Sequence, residues 1–168
     1  MTQTRIVVMG VSGCGKSTVG LALARRLGAG FLEGDSLHPA DNIRAMTSGI
    51  ALTDAMRLPW LEDVANALHG GPTGSVAACS ALRWSYRDIL RRQGAVFFVH
   101  LEIGLQETRA RMQARSGHFM NPALADSQHA SLEPLQGDEW GMTVAAGLPS
   151  DVLVNLICDH LQTHSRDT

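Results

Sequence analysis

The sequence predicts a three-layer α/β protein, a parallel sheet of five strands with helices on both faces. Three observations carry this. An unbroken, largely β-branched run, Arg5 to Met9, stops at Gly10, as a strand buried on both faces should. Short apolar runs then alternate with stretches of helical period, the signature of crossover connections between parallel strands. Between the first strand and the first helix stands Gly10-Val11-Ser12-Gly13-Cys14-Gly15-Lys16-Ser17, a glycine-rich loop in the strand–loop–helix context its chemistry needs.

Each element follows from local chemistry. After the loop, Val19, Leu23 and Leu27 recur at helical spacing, Arg25 and Arg26 close the last turn, and Gly28 can cap it. Gly30 to Glu33 reads as a second strand with an acidic end. Pro39 starts a helix that Gly49 ends, and Pro59 opens the next, with Trp60, Leu61, Val64 and Leu68 along one stripe. Ser75 to Cys79 is the third strand, Trp84 to Gln93 a helix, and Ala95 to Leu101 the fourth strand. Leu105 to Arg115 is helical, with Glu107 and Arg111 placed for an i,i+4 pair. Ser116 to Gly141 is polar, holds Pro122 and Pro134, and reads as a mobile insertion. Gly141 to Ala145 is the last strand, and Val152, Leu153, Leu156, Ile157 and Leu161 form the buried face of a terminal helix. The whole, residues 1–168, is one domain.

Composition narrows the function. The chain is 45% hydrophobic and 18% charged, a globular balance. A net charge of -2 argues against a general affinity for nucleic acid. No apolar stretch approaches spanning length, and no export signal is visible, so a cytoplasmic protein without membrane partners is expected. Three cysteines, Cys14, Cys79 and Cys158, match no zinc spacing and read as reduced thiols.

The loop satisfies G-x-x-x-x-G-K-[ST]. Its glycines let the backbone curl so that N–H groups from Gly10 through Thr18 point at phosphate oxygens. The helix that follows adds its N-terminal partial charge. Lys16 is expected on the β- and γ-phosphates and the Ser17 hydroxyl on Mg²⁺. Cys14 admits two readings, a thiol activated by positive potential or a small residue tolerated in the loop. A triphosphate, ATP, with Mg²⁺ is the expected ligand.

Further segments point to a substrate. Phe31-Leu32-Glu33-Gly34-Asp35-Ser36-Leu37-His38-Pro39 resembles the F-x-[DE]-G-D-x-L-H-P signature of gluconate kinases. In the same register follow Asn42, Met46 and Gly49, then Asp54, Arg57 and Pro59-Trp60-Leu61. Cys79-Ser80-Ala81-Leu82, Tyr86-Arg87-Asp88, Arg115-x-Gly117-His118-Phe119-Met120, Ser127-Gln128 and Leu132-Glu133-Pro134 continue the match. The resemblance implies the P-loop kinase fold shared with shikimate kinases, with a lid over about residues 116–139. It also implies ATP-dependent phosphorylation of D-gluconate at its 6-hydroxyl. Homodimers are common in such enzymes, though nothing in this sequence shows one.

Roles for single residues follow. Asp35, just past the second strand, could take the proton of the attacking hydroxyl, help hold Mg²⁺, or both. Arg57 resembles the arginine with which shikimate kinases grip the substrate carboxylate, a task suited to a bidentate guanidinium. Arg83 and Arg87 could face the same pocket or be solvated helix charges. His38 and Asn42 could bind acceptor hydroxyls, although His38 also suits a structural role at a helix start. The resemblance adds His118 and Gln128 to the acceptor side. Arg111 and Arg115 share a helical face leading into the lid, Arg115 for the γ-phosphate and Arg111 near the adenine. Where gluconate kinases carry an acidic run, roughly D-D-D-R, this chain reads Asp54-Ala55-Met56-Arg57. Two alternatives stay open: a kinase of this fold acting on another small acid or a nucleotide, or a nucleotide-binding regulatory protein without transfer activity.

Overall fold

The structure is a computed structural model and describes residues 4–71, 74–117 and 120–164. Five strands, β1 (Arg5–Met9), β2 (Gly30–Glu33), β3 (Ser75–Ala78), β4 (Val96–Glu102) and β5 (Gly141–Ala145), form one sheet in the order β2-β3-β1-β4-β5. Every pairing is parallel. The expected five-stranded parallel sheet is therefore present.

Burial on both faces explains the unbroken apolar runs. Ile6, Val8, Phe97 and Val99 point to one side, where they meet Val19 and Leu23 of helix α1 (Lys16–Leu27) and Leu153 and Ile157 of the terminal helix. Val7, Met9 and Phe98 point to the other, against Trp60, Leu61, Val64 and Leu68. Among the described residues no helix is long and apolar enough to cross a membrane.

The remaining helices are α2 (Ala40–Thr47), α3 (Asp54–His69), α4 (Trp84–Arg91), α5 (Leu105–Ala114), α6 (Ala125–Ser131) and α7 (Ser150–His164). The expected start of α3 needs correction: Pro59 does not open the helix but lies inside it. Thr53 is the cap, its side chain accepting from the Met56 N–H at 3.2 Å. A hydroxyl cap outranks proline as the start signal here, because it satisfies a donor that the helix leaves open. Arg57 consequently sits in the first turn of α3 rather than ahead of it.

The insertion expected over 116–141 divides in two. Residues 120–131 carry a short 3₁₀ turn (Pro122–Leu124) and α6. Residues 132–139 are tied to the body: the Glu133 N–H donates to Leu82 O at 2.8 Å, and the Glu139 carboxylate is buried. The later half is thus anchored to the body of the domain by these contacts.

Candidate active site

The phosphate loop leaves the C-terminal end of β1, the central strand, and runs into α1. Gly10 has φ 138°, and a Cβ there would stand 2.9 Å from both Cys14 Sγ and Leu101 O. Gly15 caps α1 with φ 99°, a left-handed conformation that glycine adopts without steric cost. No side chain caps this helix and no acidic residue sits in its first turn. Its N–H groups and partial positive charge are left for an anion.

Two cavities meet at this loop. One is lined by Ser12, Gly13, Gly15, Lys16, Ser17, Thr18, Asp35 and Arg115. The other has Asp35, His38, Arg57 and Trp60 along one side and Met120, Leu124, Ser127 and Gln128 along another. Ser12, Lys16 and Asp35 line both. The first has the donors and cations a polyphosphate needs. The second mixes apolar walls with a few polar groups, as small-molecule sites do.

The loop is internally braced. Lys16 Nζ donates to Val11 O at 2.9 Å, and the Ser12 N–H donates to Gln128 Oε1 at 2.6 Å. Gln128, expected on the acceptor, therefore also touches the phosphate loop directly. Arg115 lines the phosphate cavity at the end of α5. Arg111 donates to Gly13 O at 3.3 Å and to Glu107 at 2.6 Å, so its contacts here are with the loop and the i,i+4 partner. Cys14 is buried in the core, which supports the small-residue reading of it.

Asp35 lies in the 3₁₀ turn Gly34–Leu37 beyond β2. Gly34 is required there, since a Cβ would run into the Ala78 carbonyl. The turn is held by Trp60, whose Nε1 donates to Gly34 O at 2.8 Å. Trp60 also stacks on His38, with ring centroids 4.0 Å apart and planes at 16°. His38 Nε2 stands 3.9 Å from Asp35 Oδ1, and Asn42 donates to Met56 O at 3.1 Å while lying 3.4 Å from His38 Nδ1. Asn42 is buried, so its amide braces the helices rather than reaching into the acceptor cavity. In the sequence Trp60 stands in a helix stripe and in the Pro59-Trp60-Leu61 segment without a role of its own, because an apolar period does not reveal which core residue also walls a cavity.

Burial lowers the pKa of His38 to about 4, with Asp35 opposing the shift and Arg57 adding to it. The group is neutral in the folded protein and ordinary, near 6.5, when unfolded. The stability this contributes is complete above pH 6.5, declines as the pH falls below that value, and is lost by about pH 4. Urea unfolding between pH 4 and 7 is expected to show a steeper acid loss in the wild type than in His38→Phe, by up to about 1.4 kcal/mol per pH unit. Equal slopes would remove His38 as a source of acid sensitivity.

Arg87 does not reach the acceptor cavity. It is fully buried, and its Nε and Nη2 donate to the Glu139 carboxylate at 2.6 and 3.0 Å. Nη1 reaches Ala81 O, Leu82 O and Glu133 O, and Nη2 also reaches Pro134 O. With its donors occupied, this guanidinium is structural, and the expectation that it binds substrate is corrected. Arg83 stays on the surface side, 3.7 Å from Asp54. Arg57 lines the same cavity as His38 and Trp60. His118 lies outside the described residues.

A phosphate loop at the end of the central strand of a β2-β3-β1-β4-β5 parallel sheet, opening beside an acceptor cavity, defines a P-loop kinase. The shikimate kinase family profile matches residues 12–137, and the chain belongs to the gluconokinase branch of that family. It is 44% identical to a gluconokinase of Gluconobacter oxydans (strain 621H) over 94% of this chain and 90% of that one. Among solved structures it resembles an unliganded sugar kinase from Janibacter sp. HTCC2649, with a TM-score of 0.87, 40% identity and 95% coverage of each chain. A gluconokinase from Sinorhizobium meliloti 1021 superimposes with a TM-score of 0.81 at 39% identity, over 97% of this chain and 98% of that one.

Proposed function

We propose that the protein transfers the γ-phosphoryl group of ATP to the 6-hydroxyl of D-gluconate in the cytoplasm, giving 6-phospho-D-gluconate and ADP. The observation that carries this reading is the junction of the two cavities at Ser12, Lys16 and Asp35. A triphosphate on the loop and a polyol in the neighbouring cavity would bring donor phosphorus and acceptor hydroxyl together there.

The acceptor oxygen attacks the γ-phosphorus in line as the bond to the bridging oxygen of ADP breaks. Asp35 accepts the hydroxyl proton and later releases it to water. Lys16 and Arg115 balance charge on the transferring group. At the far end of the acceptor, Arg57 pairs with the carboxylate. The donor set suits Mg²⁺, since the Ser17 hydroxyl and the Asp35 carboxylate that line the loop cavity are hard oxygen donors. Mg²⁺ keeps phosphate and water oxygens and takes few protein ligands. Ser17 would be one, with Asp35 reaching it through water, and the ion would neutralise phosphate charge. Closure of residues 120–131 over the acceptor would exclude water.

The test is ADP release with gluconate, shikimate, other sugar acids and nucleoside monophosphates as acceptors. Gluconate is expected to give the highest kcat/KM. Turnover with another acceptor, and none above water with gluconate, would move the assignment to that acceptor. ATP binding without any transfer would favour a regulatory protein.

A further inference from the structure

Behind Arg57, away from the phosphate loop, four groups form one cluster. Tyr86, in the first turn of α4, donates its hydroxyl proton to Asp54 Oδ1 at 2.5 Å. The Tyr86 hydroxyl oxygen in turn accepts from Arg57 Nη1 at 3.0 Å. Arg57 and Arg83 lie over the Tyr86 ring, 5.3 and 5.8 Å from its centroid. The Asp54 carboxylate stands 3.6 Å from Arg57 and 3.7 Å from Arg83. Two cations and one anion leave one positive charge over.

Exposure separates the members. The Arg57 side chain is 16% exposed and belongs to the acceptor cavity, whereas that of Asp54 is 68% exposed. An anion so open to water is weakly held and exchangeable, while a guanidinium pinned by one nitrogen keeps its other donors in a set orientation. The Tyr86 hydrogen bond, with help from both arginines, keeps the Asp54 carboxyl below its ordinary pKa, so it is charged at neutral pH.

We propose that Tyr86 and Asp54 set the acceptor preference for anions. Tyr86 is a positioning residue that holds Arg57 by one nitrogen, ready for a carboxylate. Asp54 is a resident counter-ion that the carboxylate of the acceptor displaces from Arg57. The inference rests on the reading of Arg57 as the acceptor-carboxylate grip. It also gives a meaning to Asp54-Ala55-Met56-Arg57: one acidic residue remains of the run, and it is the one that touches both arginines.

The two residues act in opposite directions, which a merely structural role would not produce. Tyr86→Phe keeps the ring beneath both cations and removes only the hydroxyl. It is expected to raise the gluconate KM about fivefold, with kcat and the ATP KM within about twofold. Asp54→Asn removes the competing charge at constant size and is expected to lower the gluconate KM about threefold. Both variants should melt within a few degrees of the wild type. A gluconate KM that is unchanged in Tyr86→Phe, or unchanged or raised in Asp54→Asn, overturns the inference. Arg57→Ala and the wild type separate the other failures. Wild-type turnover of gluconate with an unaltered KM in Arg57→Ala sinks the carboxylate grip and this inference with it. Absence of wild-type turnover with gluconate sinks the acceptor assignment itself.

Discussion

Lys16→Ala is expected to lower phosphoryl transfer on the order of 10³-fold, through kcat more than through the ATP KM. In the loop as it stands the ammonium donates to Val11 O, a contact made with the loop's own backbone. Moving to a phosphate replaces that neutral carbonyl with charged oxygens whose charge shifts during transfer, so the interaction strengthens toward the transition state. Lys16→Arg is expected to recover little, because a planar fork does not fill the place of a compact ammonium. The melting temperature should stay near the wild-type value, since the side chain makes one backbone hydrogen bond and no ion pair among the described residues. Steady-state rates at saturating ATP and gluconate, with a melting curve for each variant, check this. A Lys16→Ala enzyme that retains a tenth of wild-type kcat would contradict the phosphate-loop mechanism.

The second large effect concerns stability. Arg87→Met is expected to cost about 3–5 kcal/mol, because it strands the Glu139 carboxylate in the interior and leaves several carbonyls without a donor. A buried pair is worth little against a well-packed apolar replacement, but half of one is costly. Arg87→Met/Glu139→Leu should therefore regain much of the loss, although the orphaned carbonyls limit recovery. Urea unfolding of the single and double variants measures both values. Activity per folded molecule should survive, because the guanidinium lies outside the acceptor cavity. A stable Arg87→Met protein with a raised gluconate KM would return Arg87 to the substrate site.

This pair shows where sequence reading stopped. Arg87 and Glu139 are fifty-two positions apart, and a cation on a helix beside a third strand looks equally suited to a ligand or a core partner. Only the fold shows that residues 132–139 cross α4 and bring an acid to it. Tyr86 is a similar case. Its place beside Arg87 was visible as a motif, but its hydroxyl acquires a role only when α3 delivers Asp54 and Arg57 to it. The start of α3 is obscured for a local reason: Pro59 is a familiar first-turn residue, and the Thr53 cap stands seven residues ahead of Trp60, the first apolar position of the stripe.

The sequence by itself determined the parallel sheet and the phosphate loop. Strands buried on both faces must be apolar throughout, and a loop that wraps phosphate needs glycines and a lysine at fixed spacing, so both leave a local record. Tertiary structure alone decided that Ser12, Lys16 and Asp35 border two cavities, that Trp60 stacks on His38 beneath the turn carrying Asp35, and that Arg57 lines the second cavity while Arg87 is locked in the core. The physical reason is range. Backbone conformation is written in neighbouring residues, whereas the task of a charged side chain is set by whichever partner the packing of distant helices and loops brings within about 3 Å.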